Sequence, residues 1–262
     1  MKRKKSKNSK GFTIFVVYFI AAFVVMAVLK IPHADKVDAS ADELHSVSEG
    51  VKVVDMYEHQ DDASILKKIQ KAKRIKAKEN ASKLQNSEYD LSLAFTGSVV
   101  MGDSQAQAFT AYNILPEINV AATIGKSISN AQSDYDLTVS RKPLNVFITY
   151  GMNDSIQYKG DTDAFMKVYD ELVTNLKKDI PGVNIIICSV LISQQKAIDQ
   201  KPGLGAAPAY NEALEAYADE NGYTFVDASS IQTEDLYAAD GIHMQKAFYK
   251  KWAYLMASTA GL

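Results

Sequence analysis

With 262 residues, 47% of them apolar, the chain is long enough for one sizeable domain with its own core, plus appendages. Its net charge of -2 hides an uneven split, with 17 Lys/Arg against 12 Asp/Glu over residues 1–90 and 12 against 19 over residues 91–262. The acidic C-terminal part argues against a nucleic-acid footprint, which needs a basic face, and the single cysteine rules out an intrachain disulfide.

Residues 1–30 read as a basic tail and a membrane-spanning signal-anchor. Six Lys/Arg precede an apolar run from Phe12 to Leu29, with Lys30 alone directly after it. An eighteen-residue helix reaches about 27 Å, close to the hydrocarbon thickness of a bilayer. The charge bias holds the N-terminus in the cytoplasm and places the rest outside, as a single-pass cell-membrane protein with an extracytoplasmic domain. Ala39-Ser40-Ala41 resembles a cleavage site for a signal peptide, but it stands ten residues or more beyond the apolar run. An uncleaved anchor is therefore the expectation.

Residues 31–90 read as a stalk. Pro32 to Gly50 has no clear period, while Ile65, Ile69, Ala72 and Ile75 fall at helical spacing among lysines between Ala63 and Leu84. A solvated amphipathic helix is the default there, with membrane contact or packing on the following domain as the alternative.

From residue 91 to 262 the chain alternates short apolar runs with helical patterns. The predicted strands are Ser98–Met101, Ile118–Ala122, Leu144–Thr149, Val183–Ser189 and Tyr223–Val226. The third and fourth are almost continuously apolar, as parallel strands covered on both faces are. Asp161 is placed to N-cap a helix with Phe165, Val168, Tyr169, Leu172 and Leu176 along one stripe, ending before Pro181-Gly182. Pro208 opens another, with Tyr210, Leu214 and Tyr217 inward and Asn221-Gly222 as its stop. Phe248, Trp252, Leu255 and Met256 line the last. The alternation implies a doubly wound α/β domain whose active groups collect beyond the carboxyl ends of the strands. Cys188, inside the fourth apolar run, reads as a buried small hydrophobe.

The residues at those strand ends carry chemistry. Gly102-Asp103-Ser104 follows the first strand, and a serine at a strand-to-helix turn presents both its hydroxyl and its backbone N–H. Asp240-Gly241-Ile242-His243 sets a carboxylate three residues before an imidazole, close enough to turn back and fix its tautomer. His243 would then act as general base for Ser104. Gly125, after the second strand, offers an unobstructed N–H. Asn153, in Gly151-Met152-Asn153-Asp154 after the third, offers a side-chain amide. Both suit an oxyanion hole completed by the Ser104 N–H. The four histidines are scattered and show no metal-ligand spacing.

Ser, Gly, Asn and His in this order, each after its own strand, resemble the four signature blocks of the SGNH/GDSL hydrolase family. The resemblance spans roughly residues 95 to 260. It implies a flavodoxin-like three-layer α/β/α sandwich with a parallel sheet, and a serine esterase without metal or organic cofactor. Carried over, Ser104 is the nucleophile, His243 the base and Asp240 its orienter, with Ser104, Gly125 and Asn153 forming the oxyanion hole. Gly102, Asp103, Gly151 and Asp154 would support the loops. Gln105 departs from the pattern, which usually has an apolar or basic residue after the serine. Leu191-Ile192 also departs, where a proline is common.

An anchored extracytoplasmic esterase would meet acylated glycans, and a small acyl group such as acetyl is the expectation. Transfer of the acyl group to a glycan hydroxyl uses the same triad. A binding module that keeps the fold without catalysis is the third alternative. The sequence does not give the oligomeric state.

Overall fold

The computed structural model describes residues 62–86 and 89–262, with side chains in its first helix at Lys68 and from Lys71 onward. The basic tail, the Phe12–Leu29 run and the expected stalk up to residue 61 lie outside the described residues, as do the side chains of Ile65 and Ile69. Among the described residues no helix is long and apolar enough to cross a membrane.

Five strands, β1 (Ser98–Gly102), β2 (Val120–Ala122), β3 (Asn145–Ile148), β4 (Asn184–Cys188) and β5 (Thr224–Val226), form one parallel sheet in the order β2-β1-β3-β4-β5. Side chains alternate between its faces along each strand, and both faces are covered. Val100, Phe147, Ile186 and Cys188 point into one apolar layer with Phe109, Phe248, Tyr249 and Trp252. Met101, Val146, Ile148, Ile185 and Ile187 point into the other, with Phe165, Tyr169, Leu176, Tyr210 and Leu214. The first layer is supplied by α2 (Leu91–Ala94), α3 (Ser104–Ala111) and α9 (Lys246–Ala260), the second by α4 (Gln132–Arg141), α6 (Thr162–Asp179), α7 (Gln195–Ile198) and α8 (Ala207–Asn221). The expected α/β architecture with two buried sheet faces is thus present.

Local signals explain the helix boundaries. Asp161 accepts a hydrogen bond from the Ala164 N–H and starts α6, as its position implied. Pro208 sits in the first turn of α8, and Gly222 ends that helix in the left-handed conformation. The Phe165 and Tyr210 rings stack 4.1 Å apart and join α6 to α8.

Three expectations need correction. The second strand starts at Val120, because Glu117–Asn119 form a 3-10 turn that leaves Ile118 62% exposed. Val168 and Tyr217 are half-buried, with Val173 and Ala218 taking the deeper places on their helices. The lysine-rich helix α1 (Asp62–Gln85) is docked, and Ala63–Leu262 form one compact unit. Its contact face is Arg74, Ala77, Ala81 and Leu84, while Ile75 is 52% exposed. Arg74 pairs with Glu215, approaches Asp227 at 3.8 Å and lies over the Phe225 ring. Lys78 Nζ donates to the Ser230 carbonyl, and the Ser258 hydroxyl donates to the Ala77 carbonyl. Cation–π stacking and backbone contacts add to ion pairs that would be weak alone at such exposure.

Candidate active site

In this strand order, the connections leaving β1 and β3 run to opposite sides of the sheet, which opens a crevice at their carboxyl ends. Ser104 follows β1 directly as the first residue of α3, and Asp103 caps that helix by accepting from the Gln105 N–H. At this first helical position the Ser104 N–H has no intrahelical acceptor and remains available to a ligand. Asn153 stands one residue into α5 (Met152–Gln157), directly beyond β3. Gly125 follows β2 in an exposed turn at φ +75°, where a Cβ would meet nothing within 4 Å.

His243 arrives from the other end of the chain. Tyr237 and Met244 form an antiparallel bridge, and the Ala238 N–H donates to the His243 carbonyl at 2.8 Å, pinning a loop that precedes α9. Lys196 Nζ holds the Ala239 carbonyl at 2.9 Å, and the Gln194 N–H holds that of Gly241 at 2.8 Å. From this loop His243 Nε2 lies 3.0 Å from Ser104 Oγ, and His243 Nδ1 lies 2.6 Å from Asp240 Oδ2. Asp240 Oδ1 accepts from the N–H groups of Ile242 and His243, each at 2.9 Å. Alcohol, imidazole and carboxylate therefore form one line.

Desolvation pushes the Asp240 carboxyl upward, but the His243 ring and the two backbone donors outweigh it and hold it at about 2. A carboxylate so depressed stays ionised at all ordinary pH. Its contribution to stability is present above the unfolded carboxylate range and is lost as pH falls through about 2. Ionised Asp240 accepts the Nδ1 hydrogen, which leaves the Nε2 lone pair facing the Ser104 hydroxyl.

The supporting residues sit directly behind. Asp103 and Asp154 are fully buried. Desolvation raises Asp103 to about 6 against bonds from Gln105 and Asn153, and raises Asp154 to about 7 with help from the Asp103 charge. Asp154 Oδ1 accepts from the Ile128 N–H at 3.0 Å, tying the loop after β2 to α5. Its Oδ2 is buried with no hydrogen-bond partner among the described residues. The Asn153 amide donates to Asp103 Oδ2 at 3.2 Å and to the Lys126 carbonyl at 3.0 Å. Asp134 grips the same loop from below, accepting from Thr123 Oγ1 at 2.7 Å and Tyr150 Oη at 3.1 Å. The structure thus brings Ser104, Asp240 and His243 into contact, places Gly125 and Asn153 on adjoining loops, and sets Asp103 and Asp154 as loop ties.

Glycine is required at two of these positions. Gly151 adopts φ +143°, and a Cβ there would lie 2.2 Å from Val190 Cγ2. A Cβ on Gly102 would lie 2.0 Å from Thr149 Oγ1 and 2.8 Å from Ala106 Cβ. Gly102→Ala is therefore expected to destabilise the fold by about 1–3 kcal/mol through overpacking, and to lower kcat by shifting the turn that carries Ser104. Urea denaturation beside an esterase assay checks both, and an unchanged midpoint would contradict the close approach.

Sequence patterning does not disclose the parts played by Gln194 and Lys196, and it marks Gln105 only as a departure from the family pattern. Gln105 is 2% exposed, donates from Nε2 to the Ile242 carbonyl at 3.0 Å and accepts from Tyr249 Oη at 2.7 Å. The one available signal is a polar amide directly after the serine, where the family pattern usually has an apolar or basic residue.

Comparison with known families matches residues 95–251 to the model of the GDSL-like Lipase/Acylhydrolase family. Comparison with curated protein sequences finds no match. Among solved structures, the chain is similar to a GDSL-like lipase from Bacteroides thetaiotaomicron, at 19% identity and a TM-score of 0.52 over 63% of this chain and 88% of that one. A variant of a Geobacillus acetyl-xylooligosaccharide esterase aligns at 17% identity and a TM-score of 0.48, over 63% of this chain and 93% of that one.

Proposed function

Because the chain belongs to the GDSL-like lipase/acylhydrolase family, whose model covers residues 95–251, we propose that this serine hydrolase is a membrane-anchored esterase acting on short acyl esters of surface carbohydrate. The observation that carries the reading is the line from Ser104 Oγ through the His243 ring to Asp240. In the first half-reaction Ser104 Oγ attacks the ester carbonyl while His243 Nε2 takes its proton. The tetrahedral intermediate collapses, His243 returns that proton to the leaving alcohol, and an acyl-enzyme remains. Water, deprotonated by the same nitrogen, then attacks the acyl carbon. The acid departs and Ser104 regains its proton.

The developing oxyanion is assigned to the N–H groups of Ser104 and Gly125 and the Asn153 amide. Both Asn153 amide hydrogens are engaged in the free enzyme, and the bond to Asp103 is the longer of the two. That bond is the one to be exchanged for the oxyanion. Asn153→Ala should lower kcat by about 100- to 1,000-fold with little change in KM. Steady-state kinetics on p-nitrophenyl acetate check it.

A short acyl group is favoured because little apolar surface is offered for a long chain. Among the described residues, Ile124 is the exposed large hydrophobic that adjoins a site residue in sequence. The anchor reading rests on the basic tail and the Phe12–Leu29 run, and it places the ester outside the cell membrane, where acylated glycans are found. The test is turnover by the full chain of p-nitrophenyl esters from acetyl to octanoyl, and of acetylated glycans with and without a free glycan acceptor. Acetyl turnover exceeding octanoyl, with acetate released to water, is the expected result. Faster octanoyl hydrolysis would overturn the short-acyl assignment, and acetyl appearing chiefly on the acceptor would make the enzyme a transferase.

A further inference from the structure

Gln105 touches neither the Ser104 hydroxyl nor the His243 ring, yet it is bonded to the immediate chain neighbours of both. Its backbone N–H donates to Asp103 Oδ1 at 2.9 Å, and its side-chain Nε2 donates to the Ile242 carbonyl at 3.0 Å. The orientation of the amide is determined. A carbonyl oxygen can only accept, so the NH2 end must face Ile242, which leaves Oε1 to receive the Tyr249 hydroxyl hydrogen at 2.7 Å. Tyr249 is 1% exposed and is held edge-on against Phe109 of α3 and Phe248 of α9. Its oxygen also receives the Met244 backbone N–H, so its own hydrogen is directed at Gln105.

The His243 imidazole itself is loosely enclosed, with its side chain 40% exposed on a loop between 3-10 turns and α9. Side-chain packing alone therefore does little to fix the distance from Nε2 to Ser104 Oγ. The Gln105 amide supplies a direct tie between the nucleophile's helix and the base's loop, one residue from each functional group. An aliphatic side chain would remove the donor to the Ile242 carbonyl and the acceptor of the Tyr249 hydroxyl hydrogen, and a lysine would bring donors with no acceptor for Tyr249.

We propose that Gln105, held by Tyr249, is a positioning residue that sets the approach of His243 to Ser104. This inference rests on the serine-hydrolase reading of the site. Displacing a reacting group by about 1 Å costs on the order of 100-fold in rate. Gln105→Leu should accordingly lower kcat on p-nitrophenyl acetate by about 10- to 100-fold while KM stays within about twofold. Tyr249→Phe, which leaves the tie to Ile242 in place but its acceptor end free, should lose less, about 3- to 10-fold. The double variant should lose less than the product of the two single losses, because both changes break the Gln105–Tyr249 contact.

The test uses the full chain, with wild type and Ser104→Ala as references, and adds the 15N resonances of the His243 ring, which do not depend on turnover. The expected result is a kcat loss with KM retained in both single variants, non-additivity in the double, and a changed His243 Nε2 resonance in Gln105→Leu. Full kcat in folded Gln105→Leu, a rise in KM at constant kcat, or unaltered His243 resonances would each overturn the proposal. If Gln105→Leu does not fold, Gln105→Glu takes its place, since it keeps the acceptor for Tyr249 and loses the donor to Ile242. Full kcat there would overturn the proposal equally. An inactive wild type would defeat the esterase reading instead, and the His243 resonances would still decide the role of Gln105.

Discussion

Ser104→Ala is expected to lower kcat on activated esters by a factor on the order of 10,000 to 1,000,000 and to leave the fold intact. The two halves of that expectation come from different parts of the structure. The rate loss follows because the alcohol that would form the acyl-enzyme is gone, and the remaining oxyanion donors stabilise only direct attack by water. The fold survives because the helix cap belongs to Asp103, whose carboxylate accepts from the Gln105 N–H and does not involve the serine side chain. Ser104 is itself half-buried, and its hydroxyl faces His243. Loss of one partly exposed hydroxyl should shift stability by no more than about 1 kcal/mol. Fluorophosphonate labelling, steady-state kinetics and a thermal melt measure the three quantities. Labelling of the alanine variant at the wild-type rate would mean that another residue is the nucleophile.

The sheet was readable because parallel strands covered on both faces are near-continuous apolar runs, as in Val146-Phe147-Ile148 and Ile185-Ile186-Ile187. Strand ends were less readable. Ile118 is as apolar as the strand residues after it, and only the 3-10 turn, a backbone event, turns it to solvent. Helix α1 shows a different limit. Its period was visible, but its docked face is defined by Arg74 meeting Glu215, Asp227 and Phe225, residues more than 140 positions away. Short-range patterning cannot rank such partners.

At the site, the four motif residues were legible because each stands at a strand end or in a short Asp-x-x-His turn, where local spacing reports geometry. Gln105 was not, since its meaning lies in a carbonyl 137 residues away and a phenol 144 residues away. The same holds for Lys196 and Gln194, whose contacts with the 239–241 turn are made across more than forty residues. Motifs therefore pointed to the groups that the structure brings together, while the groups that hold them required the fold.

Asp240→Asn is the second large expectation, with a loss in kcat on the order of 10,000-fold and a nearly unchanged loop. The substitution isolates a single hydrogen. An asparagine oxygen can still accept from the N–H groups of Ile242 and His243, as Asp240 Oδ1 does, so the turn keeps its two backbone bonds. The atom facing His243 Nδ1 then becomes an NH2 group. It donates to Nδ1, moves the ring hydrogen to Nε2, and turns that nitrogen from an acceptor into a donor toward Ser104 Oγ. Such an imidazole cannot accept the serine proton, and the Asp240 charge that would stabilise the imidazolium is gone. Because wild-type Asp240 is held at about 2, its ionised state persists through the whole assay range. The variant's defect should accordingly be independent of pH wherever Asp240 is charged in the wild type. The pH dependence of kcat/KM for both proteins checks this directly. A variant that regains full activity at any pH above 4 would show that the carboxylate does not set the tautomer.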